Sequence, residues 1–134
     1  MNEQFFKDRT KRLGLSFIEL VDELPKSRTA DVIGHQLTRS GTSIGANYRS
    51  ACRGRSVADV IAKLRIVEEE ADESLYWLEL LVESNLVPYT RIEKLSRETH
   101  EIIAMTVASI RTLQKRNALP QSNRKSKIEN RKLL

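Results

Sequence analysis

The chain has 134 residues, 40% apolar, 31% charged and only 5% aromatic, with a formal net charge of +5. That length suits one domain with an aliphatic core, and so few prolines and glycines argue against an all-β fold with its many turns. A single cysteine, Cys52, excludes a disulfide framework and a multi-cysteine zinc site, no run of about 18 apolar residues exists to cross a membrane, and the start MNEQFFKDRTKR turns charged before a signal-peptide core could form, so a bacterial cytoplasmic protein is expected.

Four segments carry a helical period. The first runs from about Phe6 to Leu24, with Phe6, Leu13, Phe17, Leu20, Val21 and Leu24 on one face, and Pro25 ends it. The second, from about Arg28 to Arg53, repeats the spacing at Ile33, Leu37, Ile44, Tyr48 and Ala51, with Gly54 placed as a C-terminal cap. The third opens with Ser56 and Asp59, an acidic variant of the capping box, carries Val60, Leu64, Val67, Ala71, Leu75, Leu78 and Val82, and stops near Asn85. The fourth opens with Thr90 and Glu93, a capping-box pair, and continues through Ile92, Leu95, Ile102, Thr106, Ile110 and Leu113. No stretch alternates with period two for long enough to form a strand. Matched helices joined by short loops predict an all-α, antiparallel up-down-up-down four-helix bundle over residues 1–116. Residues 117–134 are expected to form a basic, flexible tail.

Charge is uneven along the chain. The tail holds Arg124, Lys125, Lys127, Arg131 and Lys132 against Glu129, which leaves the body near +1. The second and fourth helices are basic and the third is acidic. A hairpin about Gly54 would put Arg39 opposite the region of Glu68 and Asp72, in pairs worth about 0–1 kcal/mol if exposed. Alternatively, Arg39, Arg49 and Arg53, within about 80° of one another on an ideal helix, form a basic strip with Arg55 that contacts phosphates.

The stretch from Arg39 to Tyr48 contains Gly41 and Gly45, each costing about 1 kcal/mol of helix propensity relative to Ala. With Gly34 they make a small-residue stripe suited to close helix packing, within the chain or between subunits. A P-loop is excluded, because no strand precedes these glycines and no Lys-Ser/Thr follows them.

Enzyme chemistry finds little support. The residues three before His35 and His100 are Val32 and Arg97, so the Glu-x-x-His of di-iron bundles is missing and no metal or cofactor is expected. No nucleophile elbow surrounds a serine. Cys52, near two arginines, is a candidate for a lowered thiol pKa, against the commoner role of a small packed residue. Arg28 and His35 loosely resemble the Arg-x(4–6)-His motif of the all-helical HEPN nucleases. However, Arg28 opens the second helix, whereas that motif lies on a late one.

The run from Gln36 to Ser56, QLTRSGTSIGANYRSACRGRS, closely resembles the signature of the 23S rRNA intervening-sequence protein family, also called the four-helix bundle protein family. The acidic run AKLRIVEEEADESLYWLELL, from Ala62 to Leu81, is similar to that family's third helix. The resemblance spans about residues 5–116 and excludes the tail. It implies a ring-like homo-oligomer, a homopentamer. A relative, the accessory variability protein of diversity-generating retroelements, implies RNA or DNA binding and a protein partner such as a reverse transcriptase. The near-neutral body departs from that relative's strongly basic barrel. The expectation is therefore a non-enzymatic oligomer binding nucleic acid through Arg39, Arg49, Arg53, Arg55 and the tail bases. A protein-binding adaptor is the alternative.

Overall fold

The structure, a computed structural model, describes residues 2–118. Among them the chain forms four α-helices and no strand: α1 (Glu3–Asp22), α2 (Arg28–Ala51), α3 (Val57–Glu83) and α4 (Tyr89–Asn117). Of the predicted basic tail, Asn117 ends α4 and Ala118 caps it, and residues 119–134 lie outside the described residues.

Local chemistry starts the first three helices. Asn2 Oδ1 accepts from the Phe5 amide at 2.6 Å, Ser27 Oγ from Ala30 at 3.1 Å, and Ser56 Oγ from Asp59 at 3.1 Å. Asp59 reaches back to the Arg55 amide at 3.0 Å, one residue earlier than a standard capping box. That amide and then Lys63 hold the Asp59 carboxyl below its ordinary pKa.

Two expected ends are different. α4 begins at Tyr89 behind Pro88 with no side-chain cap, so Thr90 sits inside the first turn and Glu93 beyond it. Proline already takes the extended geometry of an N-cap, which makes the Thr90 cap unnecessary. Gly54 does not have a positive φ, and α2 ends earlier, at Ala51. Gly54 is needed for space instead, since a Cβ there would lie 2.4 Å from Val60 Cγ2. The left-handed cap is Asn85, φ 62°, after α3. There the Leu86 amide reaches Leu81 O at 3.0 Å and the Asn85 amide reaches Val82 O at 3.0 Å, a Schellman motif.

The apolar stripes meet in one core. Phe6, Phe17, Leu37, Ile44, Tyr48, Leu64, Val67, Leu78 and Ile102 are almost wholly buried. Small polar residues fill the tightest places. Thr10, Thr99 and Thr106 return their hydroxyls to carbonyls four residues back. Ser40 and Ser74 meet at 2.8 Å between α2 and α3, and Ser74 also donates to Glu70 O at 2.9 Å.

The glycine stripe lies against α1 of the same chain. Cβ atoms built on Gly34, Gly41 and Gly45 would meet Val21 and Leu24, the ring of Phe17, and Thr10, respectively. α2 therefore runs opposite to α1. Arg39 bonds Glu70 at 3.1 Å and also Glu73, in and beside the expected region, while Glu68 and Asp72 themselves are not its partners. Glu70 and Glu73 flank Ser74 on the face toward α2, while Asp72 faces solvent and Glu68, two residues from Glu70, lies on the opposite flank. α1 meets α4 only sparingly, chiefly through Arg9, whose guanidinium forks onto Glu98 at 2.7 and 2.8 Å and reaches Glu101 at 3.1 Å.

Candidate nucleic-acid interface

The contacts bring the start of α1, the end of α2, the start of α3 and the end of α4 to one end of the molecule. Thr10 lies beside Gly45, Gly54 against Val60, and Arg9 reaches Met105. At this end Arg49, Arg53, Arg55, Arg65, Arg111 and Lys115 are exposed. None of them has a carboxylate within ion-pairing distance among the described residues. Of the nearby acids, Glu3 is paired with Lys7 at 2.9 Å and Asp59 with Lys63 at 3.2 Å. Asp8 stands in neither pair. The other end gathers Glu19, Asp22, Glu23, Asp31, Glu79, Glu83 and Glu93 against fewer bases, one of which, Arg91, is bound to Glu23. Charge is thus separated along the helix axes, a pattern hidden when it is summed helix by helix. The legible signal is that no acid follows Glu101 in α4, while Arg111, Lys115 and Arg116 do.

The expected strip on α2 is split. Arg49 and Arg53, with Arg55 in the turn beyond, share the basic end. Arg39 is about 15 Å away along the axis and is committed to Glu70 and Glu73. Glu73 is in turn held by the Trp77 indole at 2.9 Å; this bond first, and Arg39 after it, lower the carboxyl's pKa. Arg124, Lys125, Lys127, Arg131 and Lys132 lie outside the described residues. Covalently, they follow the helix that ends at the basic end.

Catalytic candidates are not brought together. Arg28 and His35 are exposed on α2 and His100 on α4, and no cluster of three or more metal-ligating side chains occurs among the described residues. The Cys52 thiol is not activated: burial, the largest influence, raises its pKa. The Tyr48 hydroxyl, buried beside it, makes no hydrogen bond of ordinary geometry among the described residues, and burial holds the phenol far above its usual pKa. Open grooves also lie between the helices. One, of about 490 Å³ between α1 and α2, includes Lys11, Leu15, Ile18, Ala46 and Arg49 in its lining; another, of about 480 Å³ between α1 and α4, includes Arg12, Lys94 and Arg97. Among the described residues no helix is long and apolar enough to cross a membrane. The arrangement can hold polyanions by charge, and Tyr76, half-exposed on α3, lies away from the basic end.

The profile described as 23S rRNA-intervening sequence protein matches residues 5–108. A crystal structure of a protein of unknown function from the S23 ribosomal protein family of Bacteroides thetaiotaomicron is similar, at 34% identity and a TM-score of 0.76, over 81% of this chain and 97% of that one. None of the curated proteins matches.

Proposed function

Because the chain belongs to the 23S rRNA-intervening sequence protein family, we propose that it is a non-enzymatic, cytoplasmic, ring-forming bundle that binds nucleic acid through phosphate contacts at its basic end. The observation that carries this reading is the axial separation of charge, with Arg49, Arg53 and Arg55 exposed and unpaired among the described residues at the end from which the basic tail continues. An exposed guanidinium can fork onto phosphate oxygens and release condensed counterions, and it needs no base-specific geometry. The antiparallel contacts of α1 with α2, α2 with α3 and α1 with α4 support an up-down-up-down order, which keeps both basic helix ends together. Arg39 serves the α2–α3 contact in this reading. Subunits joined in a homopentamer would present several such ends to one strand, and a nucleic-acid-processing protein such as a reverse transcriptase is a suitable partner.

The test is fluorescence anisotropy with single- and double-stranded RNA and DNA across a salt series. Affinity falls log-linearly with salt, and replacing Arg49, Arg53 and Arg55 together by Gln makes the slope shallower, by about 0.7–0.9 for each phosphate that is no longer neutralised. Absence of binding at 50 mM salt would refute the reading and leave these arginines to protein contacts in an adaptor.

A further inference from the structure

α3 packs on α2 and on α4, and no helix covers its outward face. Arg65, Glu69, Asp72, Tyr76, Glu79 and Glu83 are exposed there. At about 100° per residue they fall within about 80° of one another. Glu69, Asp72, Glu79 and Glu83 form no ion pair among the described residues, and Arg39, which reaches the flank of α3, is committed to Glu70 and Glu73. Glu69 with Asp72, and Glu79 with Glu83, are like charges three and four residues apart, a spacing that weakens a helix until a cation joins it. Tyr76 stands among them, 53% exposed.

The chain carries the counterpart itself. Beyond Ala118 the sequence continues with Arg124, Lys125, Lys127, Ile128, Arg131 and Lys132 against one acid, Glu129. The basic end of the bundle repels such a segment, whereas the α3 face attracts it. Lengths agree as well. α4 finishes at the end of the molecule where α3 starts, and the two helices are neighbours, with axes about 8–10 Å apart. Glu69 lies twelve residues beyond Val57, about 18 Å along α3. The seven residues from Ala118 to Lys125 reach about 23 Å when extended, enough for that distance along and across. The carboxylates then span about 21 Å from Glu69 to Glu83, and Lys125 to Lys132 extended spans about 23 Å. Ile128 falls among the bases as Tyr76 does among the acids.

We propose that residues 124–132 fold back from the end of α4 along the exposed face of α3, with Lys125, Lys127, Arg131 and Lys132 over Glu69, Asp72, Glu79 and Glu83, and Ile128 against Tyr76. Each exposed pair is weak alone. The covalent link, however, holds the segment at an effective concentration on the order of millimolar, so that weak pairs act as one contact. The contact does not depend on the phosphate reading. It sets a competition within that reading, because a nucleic acid must displace the α3 face to reach the tail bases.

The experiment is energy transfer from Trp77, the one tryptophan, to a dansyl group on Ser126→Cys, in the full chain carrying Cys52→Ala. It is read without nucleic acid, so a failure of phosphate binding leaves it untouched. Transfer is high at low salt and falls in 1 M salt, where the Debye length is about 3 Å. Glu79→Lys/Glu83→Lys and Arg131→Glu/Lys132→Glu each lower it at low salt to the high-salt value, with helicity by circular dichroism unchanged, and the four changes together restore it. Transfer that does not depend on salt overturns the contact. So do reversed pairs that leave transfer unchanged, or whose combination fails to restore it. Refolded from urea with an excess of unlabelled Trp77→Phe chain, the labelled chain keeps its sensitised emission, because donor and acceptor belong to one chain. Loss of that emission gives the tail to another copy's α3 and overturns the intrachain contact.

Discussion

Replacing Gly41 by Ala opposes two effects of known sign. Removing a mid-helix glycine favours α2 by about 1 kcal/mol. The new methyl carbon, however, would stand 2.5, 2.6 and 2.9 Å from Cδ2, Cγ and Cβ of Phe17. These include the root of a wholly buried side chain, so the ring cannot swing into water and the α1–α2 contact must open. Overpacking a closed core costs about 1–3 kcal/mol, and three approaches this short argue for the upper end. The net expectation is a loss of about 2 kcal/mol, or roughly 6–8 °C in Tm for a chain of this size. Gly14 is the control: its built Cβ has no neighbour nearer than 3.7 Å, so Gly14→Ala gains about 0.5–1 kcal/mol. Urea unfolding followed at 222 nm, at fixed protomer concentration, gives both values. Pairing Gly41→Ala with Phe17→Leu recovers part of the loss as a favourable coupling. A Gly41→Ala protein as stable as the wild type would refute the packing argument.

Other outcomes follow from the caps and ion pairs. Asn85→Ala places a β-carbon in the left-handed region and lowers stability by about 1–2 kcal/mol, whereas Asn85→Gly keeps or improves it, as urea midpoints will show. The Arg9 fork lowers the pKa of Glu98, so its contribution is complete above the unfolded carboxyl pKa and is lost as pH falls through the depressed folded value. Glu98→Gln accordingly costs about 1 kcal/mol at pH 7, the upper end for a partly exposed pair, and the gap from wild type narrows below about pH 4 in urea titrations. A gap that stays constant with pH would mean that the carboxylate charge does not matter there.

The helices and their inward faces are legible in the sequence because apolar periodicity and Ser caps act within one or two turns. Phe6, Leu37, Leu64 and Ile102 need no knowledge of their partners to be assigned to the core. Gly54 and Thr90 mislead for the converse reason. Whether a glycine serves a turn or a close approach depends on Val60, and whether a threonine caps a helix depends on where Pro88 has already started it. Arg39 shows the same dependence: its partners Glu70 and Glu73 are chosen by the α2–α3 register that Ser40 and Ser74 set. The candidate interface lies still further from local rules. Arg49, Arg53 and Arg55 are neighbours in the chain, but Arg111 and Lys115 join them only because α4 runs in the same direction as α2 and finishes at the same end. Composition and periodicity determine which face of each helix avoids water, since that preference belongs to each side chain. Which charges add up at one end, and which cancel between packed helices, is a property of helix direction and register, because electrostatic energy depends on distances that only the packed chain defines.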